Sequence, residues 1–256
     1  MIRYLFLGLA VACAVASPAT SAEQIGSAFA ITGSVTGELR SSPVRALSPG
    51  SDIHFKEHIR ARPAANGQFR LIDGSHLVVG AGSDVVLDEF VYKGGAVRAR
   101  LKLTKGTLRF LGSGNRPGQD RVSITTPVAT VGIRGTVVDV THSPNRTAFL
   151  LLHGSAQVCR RGGGCRMITE PCTGVIVTRG VSGVDRRAPA ELAADFPLLA
   201  QQPRLWPSFR AESVCGVSPV VNPPERGSGK SAQAPSDGDK EAAVSGSYGG
   251  YGGYGY

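Results

Sequence analysis

Four cysteines, a histidine pair and a short run of cations are the residues whose types and spacing could do chemistry in this chain. Cys159, Cys165, Cys172 and Cys215 form an even set, with a fifth cysteine, Cys13, far away near the N-terminus. Thiols in such a group either bind zinc or form disulfides. A structural zinc site usually contains a Cys pair two residues apart or a histidine in the ligand set, and this cluster has neither. Disulfides are the first reading, and four cysteines allow three pairings. Cys159 with Cys165, around Arg160-Arg161-Gly162-Gly163-Gly164, is the natural hairpin staple and leaves Cys172 with Cys215. His54 and His58 are four apart, on one face of either a helix or a strand. Two imidazoles without a third ligand make no metal site, and solvated or packed histidines account for them.

The cations lie in Val97-Arg98-Ala99-Arg100-Leu101-Lys102-Leu103. Strand side chains alternate faces, so the apolar odd positions pack and Arg98, Arg100 and Lys102 form a basic stripe on the other side. That stripe could receive an anionic polymer or partner. Ordinary solvation of a half-exposed strand gives the same pattern.

No catalytic constellation accompanies these groups. The chain has no Gly-x-Ser-x-Gly elbow, no His-Glu-x-x-His and no dinucleotide fingerprint, so no enzyme activity and no cofactor are expected. Gly229-Lys230-Ser231 imitates the end of a phosphate-binding loop, but Pro224 stands where its first glycine belongs. Asn145-Arg146-Thr147 fits a glycosylation acceptor, which matters only in a host that glycosylates such sites. Basic residues without interleaved aromatics argue against a nucleic-acid partner.

The elements that must position these residues are strands. Apolar residues make up 41% of 256 residues, and Gly 34 against a single Trp goes with short apolar runs broken by turns. The expected fold is all-β, with one globular part and dispensable ends. Turn signals recur at Asp73-Gly74-Ser75, Gly80-Ala81-Gly82, Lys93-Gly94-Gly95, Lys105-Gly106 and Gly112-Ser113-Gly114. Spacing of about ten residues fits a sandwich, barrel or solenoid. Phe149 to Leu152 are consecutively apolar and should be buried on both faces.

Residues 121–141 carry two changes of parity. Val122 and Ile124 are apolar at even positions, Ala129, Val131 and Ile133 at odd ones, and Val138 and Val140 again at even ones. Each change needs a corner or bulge, which Thr126-Pro127 and Arg134-Gly135 supply, giving strand, corner, short strand, corner, strand. Thr126, Pro127, Arg134, Gly135 and Thr136 therefore read as a structural motif. Arg134, between Gly132 and Gly135, also resembles an anion holder, but the corner role accounts for it better.

The ends differ from the middle. Arg3, an apolar stretch from Tyr4 to Ala16 and the small residues Ser17 to Ala22 have the layout of a secretory signal peptide over 1–22, and no second apolar span follows. An exported, periplasmic chain is expected, with lipidation at Cys13 disfavoured by the Ala-Val-Ala before it. Loss of Arg3 with that segment takes the formal charge from +9 to +8, which suits an anionic neighbour such as a wall or membrane surface. The expected organisation continues with a β-like lead-in over 23–49, a β domain over 50–180, a helical and disulfide-tied extension over 181–216 and a disordered tail over 217–256. The helix is expected over 188–200, limited or kinked by Pro197. The tail closes with SGSYGGYGGYGY, a composition that reads as a flexible tether.

The stretch Thr126-Pro127-Val128-Ala129-Thr130-Val131-Gly132-Ile133-Arg134-Gly135-Thr136 resembles the FecR family, whose domain carries a Thr-Pro, a short apolar strand and an Arg-Gly-Thr. Leu71-Ile72-Asp73-Gly74-Ser75 with Leu77 resembles an earlier segment of that family, and Leu152-His153-Gly154-Ser155-Ala156-Gln157-Val158 resembles its closing strand. The resemblance covers about residues 50 to 160. It implies an extracytoplasmic β-rich domain, solenoid-like with a sandwich as the alternative, that binds other proteins or wall components. The founding members sense iron-siderophore uptake and control a sigma factor across the inner membrane. This chain departs from them in having a cleavable-looking signal in place of a cytoplasmic anti-sigma segment and a retained membrane helix. The expected function is a non-enzymatic periplasmic binding module in a signalling or regulatory system, engaging a protein partner or an anionic envelope component. The alternatives are a wall-associated structural protein and an iron-uptake regulator acting on a sigma factor.

Overall fold

In the computed structural model the described residues are 22–40, 42–113, 121–179, 185–187, 192–201, 204–210 and 215. The expected signal peptide (apart from Ala22) and the tail over 217–256 lie outside them. The chain divides after Val220 into a compact unit and residues 221–256. The compact unit is all-β, as the composition implies.

Its strands are β1 (Gln24–Thr32), β2 (Val35–Glu38), β3 (Arg45–Ala46), β4 (Asp52–His54), β5 (His58–Ala61), β6 (Asn66–Leu71), β7 (His76–Val79) and β8 (Asp84–Lys93). They continue with β9 (Ala96–Leu111), β10 (Arg121–Thr125), β11 (Ala129–Ser143), β12 (Arg146–Arg160), β13 (Cys165–Ile168), β14 (Thr173–Thr178) and β15 (Asp185–Arg187). Three of these, β9, β11 and β12, are 15 or 16 residues long and organise the rest. Each changes its inward parity partway along. In β9 the buried apolar residues run Val97, Ala99, Leu101, Leu103 and then Leu108, Phe110. In β11 they run Ala129, Val131, Ile133 and then Val138, Val140, and in β12 Phe149, Leu151 and then Ala156, Val158.

Because each long strand switches ladders where its parity switches, a single hydrogen-bonded network separates into two layers. In the first, the order is β4-β1-β6-β7, the C-terminal part of β9, the C-terminal part of β11, the N-terminal part of β12, then β14-β15. In the second it is β3-β2-β5-β8, the N-terminal part of β9, then β10, the N-terminal part of β11, the C-terminal part of β12, and β13. All pairings are antiparallel except β9 with β10. Residues from both layers meet in one apolar core, with Phe69, Leu77 and Phe149 from the first and Ile59, Leu101 and Val131 from the second all fully buried or nearly so. β1 and β2 belong to these ladders and to this core, so residues 24–38 are built into the same layers as the strands that follow.

A glycine with positive φ sits at the parity change within each long strand: Gly106 in β9, Gly135 in β11 and Gly154 in β12. Lys105-Gly106, expected as a turn between strands, is instead this bend inside a continuous β9. Its geometry is fixed by Ser83, whose Oγ accepts the Thr107 N–H at 2.7 Å and donates to the Thr107 carbonyl at 2.9 Å. Gly154 has φ +85, and a Cβ there would stand 2.5 Å from the Gly135 carbonyl oxygen, so the corners of β11 and β12 are in direct contact. Gly135, at φ +53, has open space where a Cβ would go; only its backbone conformation restricts it. The first parity change, at Thr126-Pro127, is different. There the chain reverses, so that β10 and β11 form a hairpin. Thr126 Oγ1 accepts the Ala129 N–H at 3.0 Å and lies 2.9 Å from Thr147 Oγ1, which is also 2.9 Å from His142 Nδ1. This chain of polar groups joins the second layer's hairpin turn to the first layer.

The outer face of the first layer is covered by the chain's own extension. Of the helix expected over 188–200, the described residues 192–200 form two single turns, α1 (Leu192–Asp195) and α2 (Pro197–Ala200), with Phe196 between them. The break falls at Pro197 as expected, while 188–191 lie outside the described residues. Pro197 cannot donate the hydrogen bond that would continue α1, so the helix restarts there. Phe196 and Leu199 pack on Ala148, Leu150, Leu152 and Ile176, while Leu198, Leu205 and Phe209 pack on Val78. Phe149 and Leu151 face the main core and Leu150 and Leu152 face the extension, which accounts for their unbroken apolar run. Beneath the extension lies an ion pair with both side chains 0% exposed, Arg109 Nε to Asp139 Oδ1 at 2.6 Å. Removing one partner of such a pair typically costs about 3–5 kcal/mol. The extension is held at its edges by Arg146, which binds Asp195 through Nη1 and Nη2 at 2.7 and 2.6 Å, and by the Cys172–Cys215 disulfide. The second disulfide, Cys159–Cys165, spans directly opposed residues of β12 and β13.

Two predictions follow from this arrangement. Gly154→Ala should lower stability by more than about 2 kcal/mol, because it adds a steric clash to an unfavourable φ. Gly135→Asn should cost under about 1 kcal/mol, because asparagine tolerates the left-handed region, whereas Gly135→Val should be far worse. Chemical denaturation of the three variants checks the order; equal effects would contradict it. His142 and His76 both have pKa values lowered mainly by burial, with Arg70 adding to the effect at His76. A histidine lowered in the fold takes up a proton on unfolding, so its stabilisation is complete above about pH 6.5 and lost as the pH falls below it. Melting temperature should drop between pH 7 and pH 5, and His142→Gln and His76→Gln should each flatten part of that slope.

Candidate basic groove

The second layer's outer face is not covered by any described residue, and the cross-strand registers set its surface. Arg98 lies opposite Arg121, and Arg134 lies opposite Ser155. One step along the strands, a row runs Glu89, Arg100, Ser123, Gly132, Gln157, Met167 from β8 to β13. A further step gives Lys102 opposite Thr125, which faces Thr130 and then Cys159. Neighbouring strands are about 4.8 Å apart and alternate residues about 6.6 Å apart along a strand, so the cations are close enough for one ligand to reach several.

The first two rows line an open groove of about 710 Å³ whose charged residues, among those described, are Arg98, Arg100, Arg121, Arg134 and one acid, Glu89. Glu89 is 3.2 Å from Arg100 and neutralises part of that charge. Both groups are partly exposed, so the pair contributes little to stability. The other arginines of the groove are exposed.

Gly132 lies mid-strand on the groove floor without positive φ, and a Cβ there would have no atom within 4 Å. Neither packing nor backbone geometry requires a glycine at this position. Glycine inside a strand costs about 0.5–1 kcal/mol relative to alanine and often marks a place where another chain approaches closely. The neighbouring corner holds Arg134 in place: Thr136 Oγ1 accepts the Arg134 N–H at 2.9 Å, and its one proton is shared between the carbonyls of Arg134, at 2.6 Å, and of Ser155, at 2.9 Å. One hydroxyl thus ties the β11 bend to β12, and the bend projects Arg134 to the exterior.

Of the cations singled out in the sequence, Arg98 and Arg100 line the groove, while Lys102 projects from the same strand beyond its lining. Arg121 is not part of that stripe, and Arg134, which the sequence offers as an anion holder but places better as a corner residue, is both a corner residue and part of the groove lining. Their outward parity was legible next to Val122 and Ile133. Their meeting with Arg98 depends on the parallel β9–β10 pairing, for which the sequence carries no signal. His54 and His58 do not share a strand face, because the chain turns between β4 and β5. His54 lies 3.5 Å from Glu57, and His58 lies 3.4 Å from Asp84. Among the described residues no group of three His, Cys, Asp or Glu side chains could hold a metal ion, and no described helix is long and apolar enough to cross a membrane.

Residues 57–157 match the family model described as FecR protein. Two crystal structures, each of a candidate anti-sigma factor from Parabacteroides distasonis, are similar to the chain at 17% and 16% identity with TM-scores of 0.43 and 0.42. Each match takes in 51% of this chain and 58% of that one, so the chain spans less than two thirds of the protein it is compared with. Among curated proteins no match is found. The matched segment begins at β5, takes in all three glycine corners and the groove floor, and ends on β12: across residues 57–157 the chain carries a FecR family domain.

Proposed function

We propose that this chain is an exported, non-enzymatic binding module of a regulatory or signalling system, engaging a protein partner or an anionic envelope component through the basic outer face of its second layer. The observation that carries this reading is the asymmetry of the two outer faces. The first is apolar and sealed by the chain's own extension; the second is open and lined by Arg98, Arg100, Arg121 and Arg134. A half-exposed strand needs polar groups outside, but solvation does not require four arginines around one glycine floor with one acid among the described residues there.

The FecR match supports the regulatory part of the reading, since that family's resemblance implies binding of other envelope molecules. Two disulfides support export, because such bonds form and persist in oxidising compartments. The signal peptide over 1–22 and the boundaries at 49, 180 and 216 belong to the same proposal. No cofactor enters it.

The test is a pull-down from envelope extract with the disulfide-bonded protein, comparing wild type with the triple variant Arg98→Glu, Arg100→Glu, Lys102→Glu. The variant should remain folded, as these side chains are exposed, and should lose the captured partner. An unchanged set of captured molecules would remove the assignment.

A further inference from the structure

Resting on the reading that the second layer's outer face binds, we infer that its occupant is an acidic segment of a partner protein, laid across strands β9 to β13 over Gly132. Charge complementarity gives the sign. Among the described residues, Arg98, Arg100, Arg121 and Arg134 face the groove with one acid, Glu89, in opposition. Guanidinium groups form bidentate, planar contacts with carboxylates, so arginine suits Asp and Glu side chains better than lysine does.

The rest of the surface separates a polypeptide from a uniform polyanion. A polymer with charge at every repeat would meet Glu89 at one end and would gain nothing from the uncharged middle, where Ser123, Gly132 and Gln157 form the central row. Those groups suit hydrogen bonding to peptide amides and carbonyls. At the two margins stand exposed apolar side chains. Met167, 58% exposed, ends the row on β13, and Val91, 52% exposed, lies opposite Arg98 on β8. Arginine and methionine are both enriched at protein interfaces relative to the rest of the surface. Cations around an uncharged centre, with apolar groups at the margins, fit an acidic peptide with apolar flanks.

Gly132 sets the depth. With no side chain there, and free space above it, an extended chain can lie against the sheet between the Arg100 and Gln157 side chains. The same space makes Gly132→Trp a blocking substitution that leaves every cation in place, and Gly132→Ala a control that should fold at least as stably as wild type.

The experiment selects twelve-residue peptides from a random displayed library on the full disulfide-bonded chain, and measures selected peptides, polyphosphate and dextran sulfate by fluorescence anisotropy. Selected peptides should be enriched in Asp and Glu over the starting library. They should bind at least ten-fold more weakly to the Arg98→Glu, Arg121→Glu, Arg134→Glu variant and to Gly132→Trp, and weaken as salt rises. Selection of peptides without acidic enrichment would overturn the inference. So would polyphosphate or dextran sulfate binding that is lost in both variants while acidic peptides bind no better than scrambled neutral ones; that result leaves the basic face as the binding face and removes only the acidic segment. If no probe distinguishes wild type from either variant, both this inference and the binding role of the face fall.

Discussion

The contact between the corners of β11 and β12 is the constraint on which the rest of the structure depends. A Cβ on Gly154 would stand 2.5 Å from the Gly135 carbonyl oxygen, so the two bends fit together only because one of them has no side chain. With the Gly106 bend in β9, they let three long strands leave one layer and enter the other while keeping their apolar residues inward. Straight strands of the same sequence would turn half of those residues out to water. Thr136 reinforces the joint by bonding to the Arg134 backbone and the Ser155 carbonyl with one hydroxyl.

With the inner faces committed to a shared core, the outer faces become free to differ. Leu150, Leu152 and Val78 make the first layer's outer face apolar, and Phe196, Leu198, Leu199 and Phe209 cover it. The Arg109–Asp139 pair is shielded below that cover. The cover is anchored by Arg146–Asp195 and by the Cys172–Cys215 bond; by the chain-entropy relation, a bond closing a loop of this length limits the unfolded state by about 4 kcal/mol. Among the described residues nothing covers the second layer's outer face in this way, and its arginines are exposed. The same bend that makes the fold possible projects Arg134 onto that face, which connects the architecture with the proposed function.

Much of this was legible in the sequence where a local rule applied. Parity in residues 121–141 revealed the bend at Gly135, and the apolar run Phe149 to Leu152 revealed a strand buried on both sides. The bend at Gly106 was mistaken for a turn because Lys-Gly is a common turn pair and the ladders on either side of it are non-local. The break in the helix expected over 188–200 was legible in Pro197, and the described turns 192–195 and 197–200 lie on either side of it. The groove was half visible: alternation exposed Arg98 and Arg100, but the parallel pairing that sets Arg121 opposite Arg98 links strands on either side of residues 112–120. No periodicity in a single strand encodes that partner.

The most direct test of the two-faced account is covalent arginine labelling with a dicarbonyl reagent, read by mass spectrometry on the native chain with and without envelope extract. The account predicts that Arg98, Arg100, Arg121 and Arg134 label readily in the free protein and become protected with extract, while Arg109 stays unlabelled until the protein unfolds. Protection confined to arginines outside the groove, or ready labelling of Arg109 in the native chain, would contradict it.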